Sequence, residues 1–570
     1  TENTAGGTKN IAIGNYALDA LTSGDTNVAI GYDAMTLHTT GANNVAVGER
    51  ALAASTAGAQ NTAIGGTALI ATTTGSNNTA VGYASLGANT TGADNIAIGV
   101  NALGANTTGV DSVAVGTDAL KVNTASSNTA VGNNTLKANV TGTYLAAFGA
   151  GALAKCVGDS NTAIGAVSGA EITSGDHNTY VGFASGDAHT TADNCTGVGS
   201  FALSENTTGE KNTALGKHAL FTNTTGAFNT ALGHTALYTN NASYNIGIGD
   251  QAGYSITTGT RNIAIGVNAY DDSDTENDNL AIGYNAMTTN TAGGTQNVAI
   301  GNYAGDGITS GDNNTAVGCY AGSTIRSGNS NNCFGQYAGN AILDGGNNLC
   351  VGTGAGAGIT NGDNNLCIGG EAGNHDTTLT TGAQNILIGY GADGSSATIT
   401  HEIAIGHNVV GNGANTFVIG NAGNDSAIAF GATSISAPSD IRLKENISDT
   451  TAGLSFINDL RPVTFNWRKE KDIPEEMKAY KAGSEERFNN DNLNHGFIAQ
   501  EVKAVIDNHP EIKDGFNMWK EDTTDGRQRV ADGALVPMLV KSIQELSAKN
   551  DSLETSNTAL IARIEALENA

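Results

Sequence analysis

Cys333, Cys350 and Cys367 stand seventeen residues apart, and thiols at a fixed period raise the question of chemistry at once. If the intervening segments are equivalent, the three sulfurs stack as a soft-metal strip or a redox ladder. A zinc site would need further ligands at short spacing, and neither His nor a second Cys lies beside them. The expectation is therefore small apolar residues standing in for alanine. Cys156, Cys195 and Cys319 form no pattern with these three, and the ten histidines are scattered. "GDNN" at 311–314 and 362–365 has the composition of a calcium loop. It lacks the nonapeptide spacing of calcium-binding repeats and reads as a turn. Carboxylates before residue 438 sit at irregular turn positions, so a glycosidase-like acid–base pair would have to be assembled between chains. No aromatic groove for sugar stacking is evident. No metal and no cofactor is expected.

The period that spaces the cysteines runs through most of the chain. A glycine closes each copy, from Gly14, Gly31 and Gly48 to Gly389, Gly406 and Gly420. There are 25 copies, nearly all 16–18 residues apart, with a 20-residue step before Gly389 and a 14-residue step at the end. The positions three and one before the glycine carry Thr, Val, Ile or Leu, and Ala usually lies between them. This alternation is a short β-strand with branched residues on one face and small ones on the other. A second short element follows, such as "NYAL" (15–18) or "ERAL" (49–52), and then a turn such as "TTG" or "TSGD". Two short strands and two turns make one coil of a parallel β-solenoid. Twenty-five coils at ~4.8 Å each give a rod on the order of 120 Å long.

Asn precedes the closing glycine by four residues in 20 of the 25 copies, the departures being Ser112, Leu145, Cys195, Glu402 and Thr416. Stacked, these form an amide ladder that satisfies buried turn backbone rather than a ligand strip. The second element drifts: early units end it in Leu18, Met35, Leu52 and Leu69, later ones mostly in Gly305, Gly322, Gly339, Gly356 and Gly373. A change of packing is implied.

Composition divides the chain in two. All five prolines and both tryptophans (Trp467, Trp519) lie at or beyond Pro438. Residues 1–438 hold 9 basic and 30 acidic side chains, against 17 and 24 in 439–570. A net charge of −28 disfavours nucleic acid and anionic membrane as partners. No 18-residue apolar run is present to span a bilayer, and the start, TENTAGG, carries no legible targeting signal.

The repeat over 9–420 resembles the head repeats of trimeric autotransporter adhesins, built on an "NSVAIG"-like motif, and related repeats of phage tail fibres. The resemblance implies a left-handed β-roll with three chains to a rod; the 17-residue unit departs from the shorter head repeats. Beyond the boundary, "PSDIRLKENI", "LRPVTFNW" (460–467), "HGFIAQEV" (495–502) and "ALVPMLVKSIQEL" (534–546) resemble the intramolecular chaperone of phage tail spikes and fibres, the self-cleaving S74 peptidases. That resemblance implies a Ser439 nucleophile, a Lys444 base and a scissile bond between Pro438 and Ser439. Arg442 and assembly would help lower the lysine's basicity, whereas Asp440 and Glu445 would raise it.

The chain ends in a heptad pattern. Val536, Ile543, Asn550, Asn557 and Ile564 recur every seven residues, with Leu539, Leu546, Leu553, Leu560 and Leu567 as the alternate seam, the signature of a coiled coil. The expected organisation is a lead-in (1–8), an all-β solenoid (9–420), a connector (421–438), a small α+β chaperone and self-cleavage domain (439–535) and a trimeric coiled coil (536–570). The expected function is that of a homotrimeric phage tail fibre in the virion, contacting other tail proteins and a host receptor that is a glycan or a protein. A cell-surface adhesin or extracellular filament carrying the same module is the first alternative, and a polysaccharide-degrading tailspike the second.

Overall fold

The computed structural model describes residues 7–569 except 291–292, 423, 431–440, 442–443, 476, 478, 514–515, 517 and 522–526. The chain falls into two compact units that part between Pro438 and Ser439.

In the first unit, among the described residues, each repeat contributes one parallel strand. The series starts with β1 (Ile11–Ile13) and β2 (Val28–Ile30) and runs to β24 (Ile403–His407) and β25 (Thr416–Asn421). β26 (Asn424–Ala429) then folds back antiparallel on β25. Register is coil on coil: Ala12 faces Ala29, and Ala29 faces Ala46. The solenoid read from the sequence is thus the architecture found, with its closing glycines in column.

From β2 to β24 the alanine at the centre of a strand points inward and is fully buried, while the flanking residues, mostly β-branched or leucine, face out. The closing glycines are dictated by the stacking. Gly65 has φ +136°, and a β-carbon there would lie 2.5 Å from the carbonyl oxygen of Gly82 one coil on. No residue with a side chain fits that approach.

The second element is not a strand, contrary to the two-strand coil expected. Tyr16 and Leu18 have φ of +61° and +53°, so the segment alternates into left-handed conformations that no β-strand allows. It still bonds coil to coil, through Leu18 N–H to Ala34 O at 3.1 Å and Asp33 N–H to Asn15 O at 3.0 Å. These bonds offset the conformational cost of about 1–2 kcal/mol per left-handed residue.

The Leu-to-Gly drift resolves into two ways of filling one core. At Leu86 and Leu103 the second element ends in leucine, a polar residue follows three positions later, Asn89 or Asn106, and all are buried. At Gly305, Gly322, Gly339 and Gly356 it ends in glycine, and the residue three later is Ile308, Ile325, Ile342 or Ile359, also buried. The isoleucine tip occupies the space the leucine has left.

The second unit is α+β. Among the described residues, two antiparallel pairs, β27 (Val463–Phe465) with β28 (Asn494–Gly496) and β29 (Trp519–Glu521) with β30 (Gln528–Val530), accompany three α-helices, α1 (Leu454–Asp459), α2 (Ala499–Asn508) and α3 (Val536–Glu568). Its core gathers Phe456, Val502, Ile506, Ile512, Met518, Leu535 and Met538. α3 opens with Pro537 in its first turn, where a missing N–H is harmless. Past Ser542 no residue of α3 is buried, and Leu553 and Leu560 are 61% and 55% exposed. No helix among the described residues is long and apolar enough to cross a membrane.

Candidate functional site

Inside the solenoid the repeated asparagines form a closed hydrogen-bond ladder. Asn78 Nδ2 donates to Gly92 O at 2.9 Å and to Asn61 Oδ1 at 3.1 Å, while its own Oδ1 accepts from Asn95 N at 3.1 Å. Every polar atom of that side chain has a partner, and the residue is fully buried. Where asparagine is replaced by Glu402, the buried carboxylate accepts from Ser395 N at 2.8 Å and Gly413 N at 2.7 Å. The column is an amide stack with no side left for a ligand.

The three cysteines lie on that same inner wall. Cys333 pairs with Cys350 and Cys350 with Cys367 across consecutive strands, all fully buried. The Cys350 thiol beside them, together with burial, holds Cys333 and Cys367 well above the usual thiol range. Burial likewise pushes Cys156 up to about 12. Protonated thiols in a dry core behave as small apolar residues, which is the role expected of them.

One mixed group among the described residues has the composition of a cation site: His375, Asp376 and Asp393. Asp393 is fully buried, but its carboxylate already accepts three backbone N–H groups, from His375 at 3.1 Å, Asp376 at 2.5 Å and Thr377 at 2.9 Å. That arrangement pins the longest insertion in the solenoid, the 20-residue step before Gly389.

Surface aromatics are stacked on one another. Tyr238 and Tyr254 lie 5.0 Å apart and 6° from parallel, and Tyr303 and Tyr320 lie 4.7 Å apart at 5°. Within such a stack the ring faces are covered by neighbours, which leaves edges at the surface.

At the second unit, Pro438, Ser439, Asp440 and Arg442 lie outside the described residues. Lys444 is exposed within the chain, and its N–H donates to Ile441 O at 3.2 Å; Glu445 is exposed as well. A contact missed by sequence reasoning is His509, which lies 2.9 Å from both Asp459 and Glu511. Asp459 is fifty residues away along the chain, and no spacing signals such a partner.

No curated protein and no solved structure matches the chain. Residues 439–509 match the Peptidase_S74 family, described as the chaperone of endosialidase. With a solenoid of stacked repeats before it and a long helix after it, the second unit carries a chaperone-of-endosialidase domain of the Peptidase_S74 family.

Proposed function

We propose that the chain is the subunit of a homotrimeric, extracellular receptor-binding fibre, most specifically a phage tail fibre, whose C-terminal unit chaperones assembly and cuts itself off before Ser439. The observation that carries this is the Peptidase_S74 match at 439–509 directly after a solenoid of some four hundred residues. Long-range β assembly is slow and prone to aggregation, so a rod of this kind needs its chains brought together before it winds.

Two apolar surfaces support association of copies. The outward strand face carries a continuous column of branched residues, with Ile13, Ile98 and Leu232 at 58%, 40% and 42% exposure. On α3, the seam Leu546, Leu553, Leu560 and Leu567 has no partner within the chain among the described residues. Apolar patches on that scale mark interfaces. Host attachment follows from the rod's place in such a fibre, and its receptor is a surface glycan or protein.

Light scattering on the full chain tests the assembly. A mass three times the 57.4 kDa chain is expected, falling to one chain in the Leu553→Glu/Leu560→Glu variant. A monomer from the unaltered chain would refute it.

A further inference from the structure

His509 closes the C-terminal end of α2, and only 7% of it is exposed. Both ring nitrogens are engaged. Nε2 lies 2.9 Å from Asp459 Oδ2, at the last residue of α1, and Nδ1 lies 2.9 Å from Glu511 Oε1. A neutral imidazole has one N–H, so it would donate to one carboxylate and turn a lone pair on the other. The imidazolium alone satisfies both, in charge-assisted bonds. The Phe456 ring of α1 packs edge-on at 5.3 Å and gives the site an apolar wall.

The charged groups that face the ring are Asp459 from α1 and Glu511 from the turn after α2. Of the other ion pairs of α2, Lys503 with Asp507 closes within the helix, and Glu501 holds the guanidinium of Arg461, two residues past the end of α1. From α3, Glu545 acts at the other end of α1, accepting Leu454 N–H at 2.9 Å, with Lys541 3.9 Å from its carboxylate. The short helix α1 is therefore strapped at both ends, to α3 by Glu545 and to α2 by His509.

We propose that His509 is a proton-dependent clasp of the chaperone unit, which holds the end of α1 on the end of α2 while the ring carries both protons and opens as pH rises. The hydrogen bonds that the ring donates to Asp459 and Glu511 raise it above the ordinary histidine value of 6.5. A group raised on folding contributes stability fully below its unfolded value and loses it as pH rises through the folded one. The clasp thus links protonation to the seating of α1, the element on which α3 rests. It is independent of cleavage.

Trp467 and Trp519 both belong to this unit, so tryptophan fluorescence in the full chain reports on it alone. The melting temperature should fall between pH 6 and pH 9 in the unaltered chain and stay level in His509→Gln. An equal slope in both would overturn the clasp. If His509→Gln does not fold, imidazole C2-hydrogen exchange read by mass spectrometry decides. His509 should titrate above 6.5, and Asp459→Asn and Glu511→Gln should each lower that midpoint. A midpoint at or below the ordinary value, or one unmoved by either variant, would overturn the proposal.

Discussion

A β-carbon built on Gly322 would lie 2.9 Å from Cδ1 of Ile325, so the glycine and the isoleucine three residues on share one volume. At Leu86 and Asn89 the same two places are filled the opposite way, and the backbone there is alike: φ is +53° at Gly322 and +51° at Leu86.

The exchange should be transferable. Gly322→Leu alone overpacks the coil and should cost about 1–3 kcal/mol, and Ile325→Asn alone should cost about 2–5 kcal/mol as a cavity. The double variant restores a pairing that other coils already use, so its loss should be smaller than the sum. Denaturant unfolding of the four proteins gives the coupling energy, and a coupling near zero would show that the two residues fill separate spaces.

This pairing was half legible. The Leu-to-Gly column is visible in the sequence, but its partner lies three residues on, and reading down one column does not find it. The strand was fully legible because Thr62, Ala63 and Ile64 alternate with period two, which only a strand explains. The wall after the glycine was not legible. Leucine carries no mark of a left-handed backbone, so Leu18 and Leu86 gave no warning of φ near +50°; stacking against the next coil imposes it. His509 was hidden for a simpler reason, since tertiary packing alone brings Asp459 to it.

The asparagine ladder makes a sharp distinction between deleting its amide and replacing it with a carboxylate. Asn78→Ala leaves buried Asn95 N without its acceptor and Gly92 O with the Asn89 Nδ2 bond alone, at about 1–3 kcal/mol for the group left unsatisfied. Asn78→Asp keeps the acceptor but sets a carboxylate against the Gly92 carbonyl, so at neutral pH it should be the worse of the two. Local amide exchange at Asn95 reports both. Should Asn78→Asp prove harmless, the donated bond to Gly92 would not be what holds the coil.

Acid should weaken the solenoid. His38 and His189 are buried, with Nε2 2.8 Å from Gly41 O and 2.7 Å from Ala192 O. Burial lowers both from the ordinary 6.5. At higher pH the rings are neutral in both states and stability is level. Below 6.5 the unfolded chain gains protons that the folded coils refuse, so stability falls until pH reaches the depressed folded values. His38→Asn and His189→Asn, which place at these positions the residue that Asn89 and Asn106 supply in other coils, should flatten the fall between pH 6.5 and pH 5. An unchanged slope in the double variant would assign the acid loss to other groups.

Self-cleavage should depend on assembly. A serine–lysine pair works only when the lysine is stripped of water or set beside another cation. Lys444 is exposed within a single chain, and association of copies would strip water from it. The full chain on a denaturing gel should therefore give fragments of 438 and 132 residues, and Ser439→Ala and Lys444→Ala should each leave one band. Leu553→Glu/Leu560→Glu, which touches neither residue, should also stay whole, because it removes the seam expected to gather the chains. If that variant cuts as fast as the unaltered protein, the pair is competent within one chain and assembly is not its trigger. If the unaltered protein gives a single band, this copy of the domain chaperones without cutting.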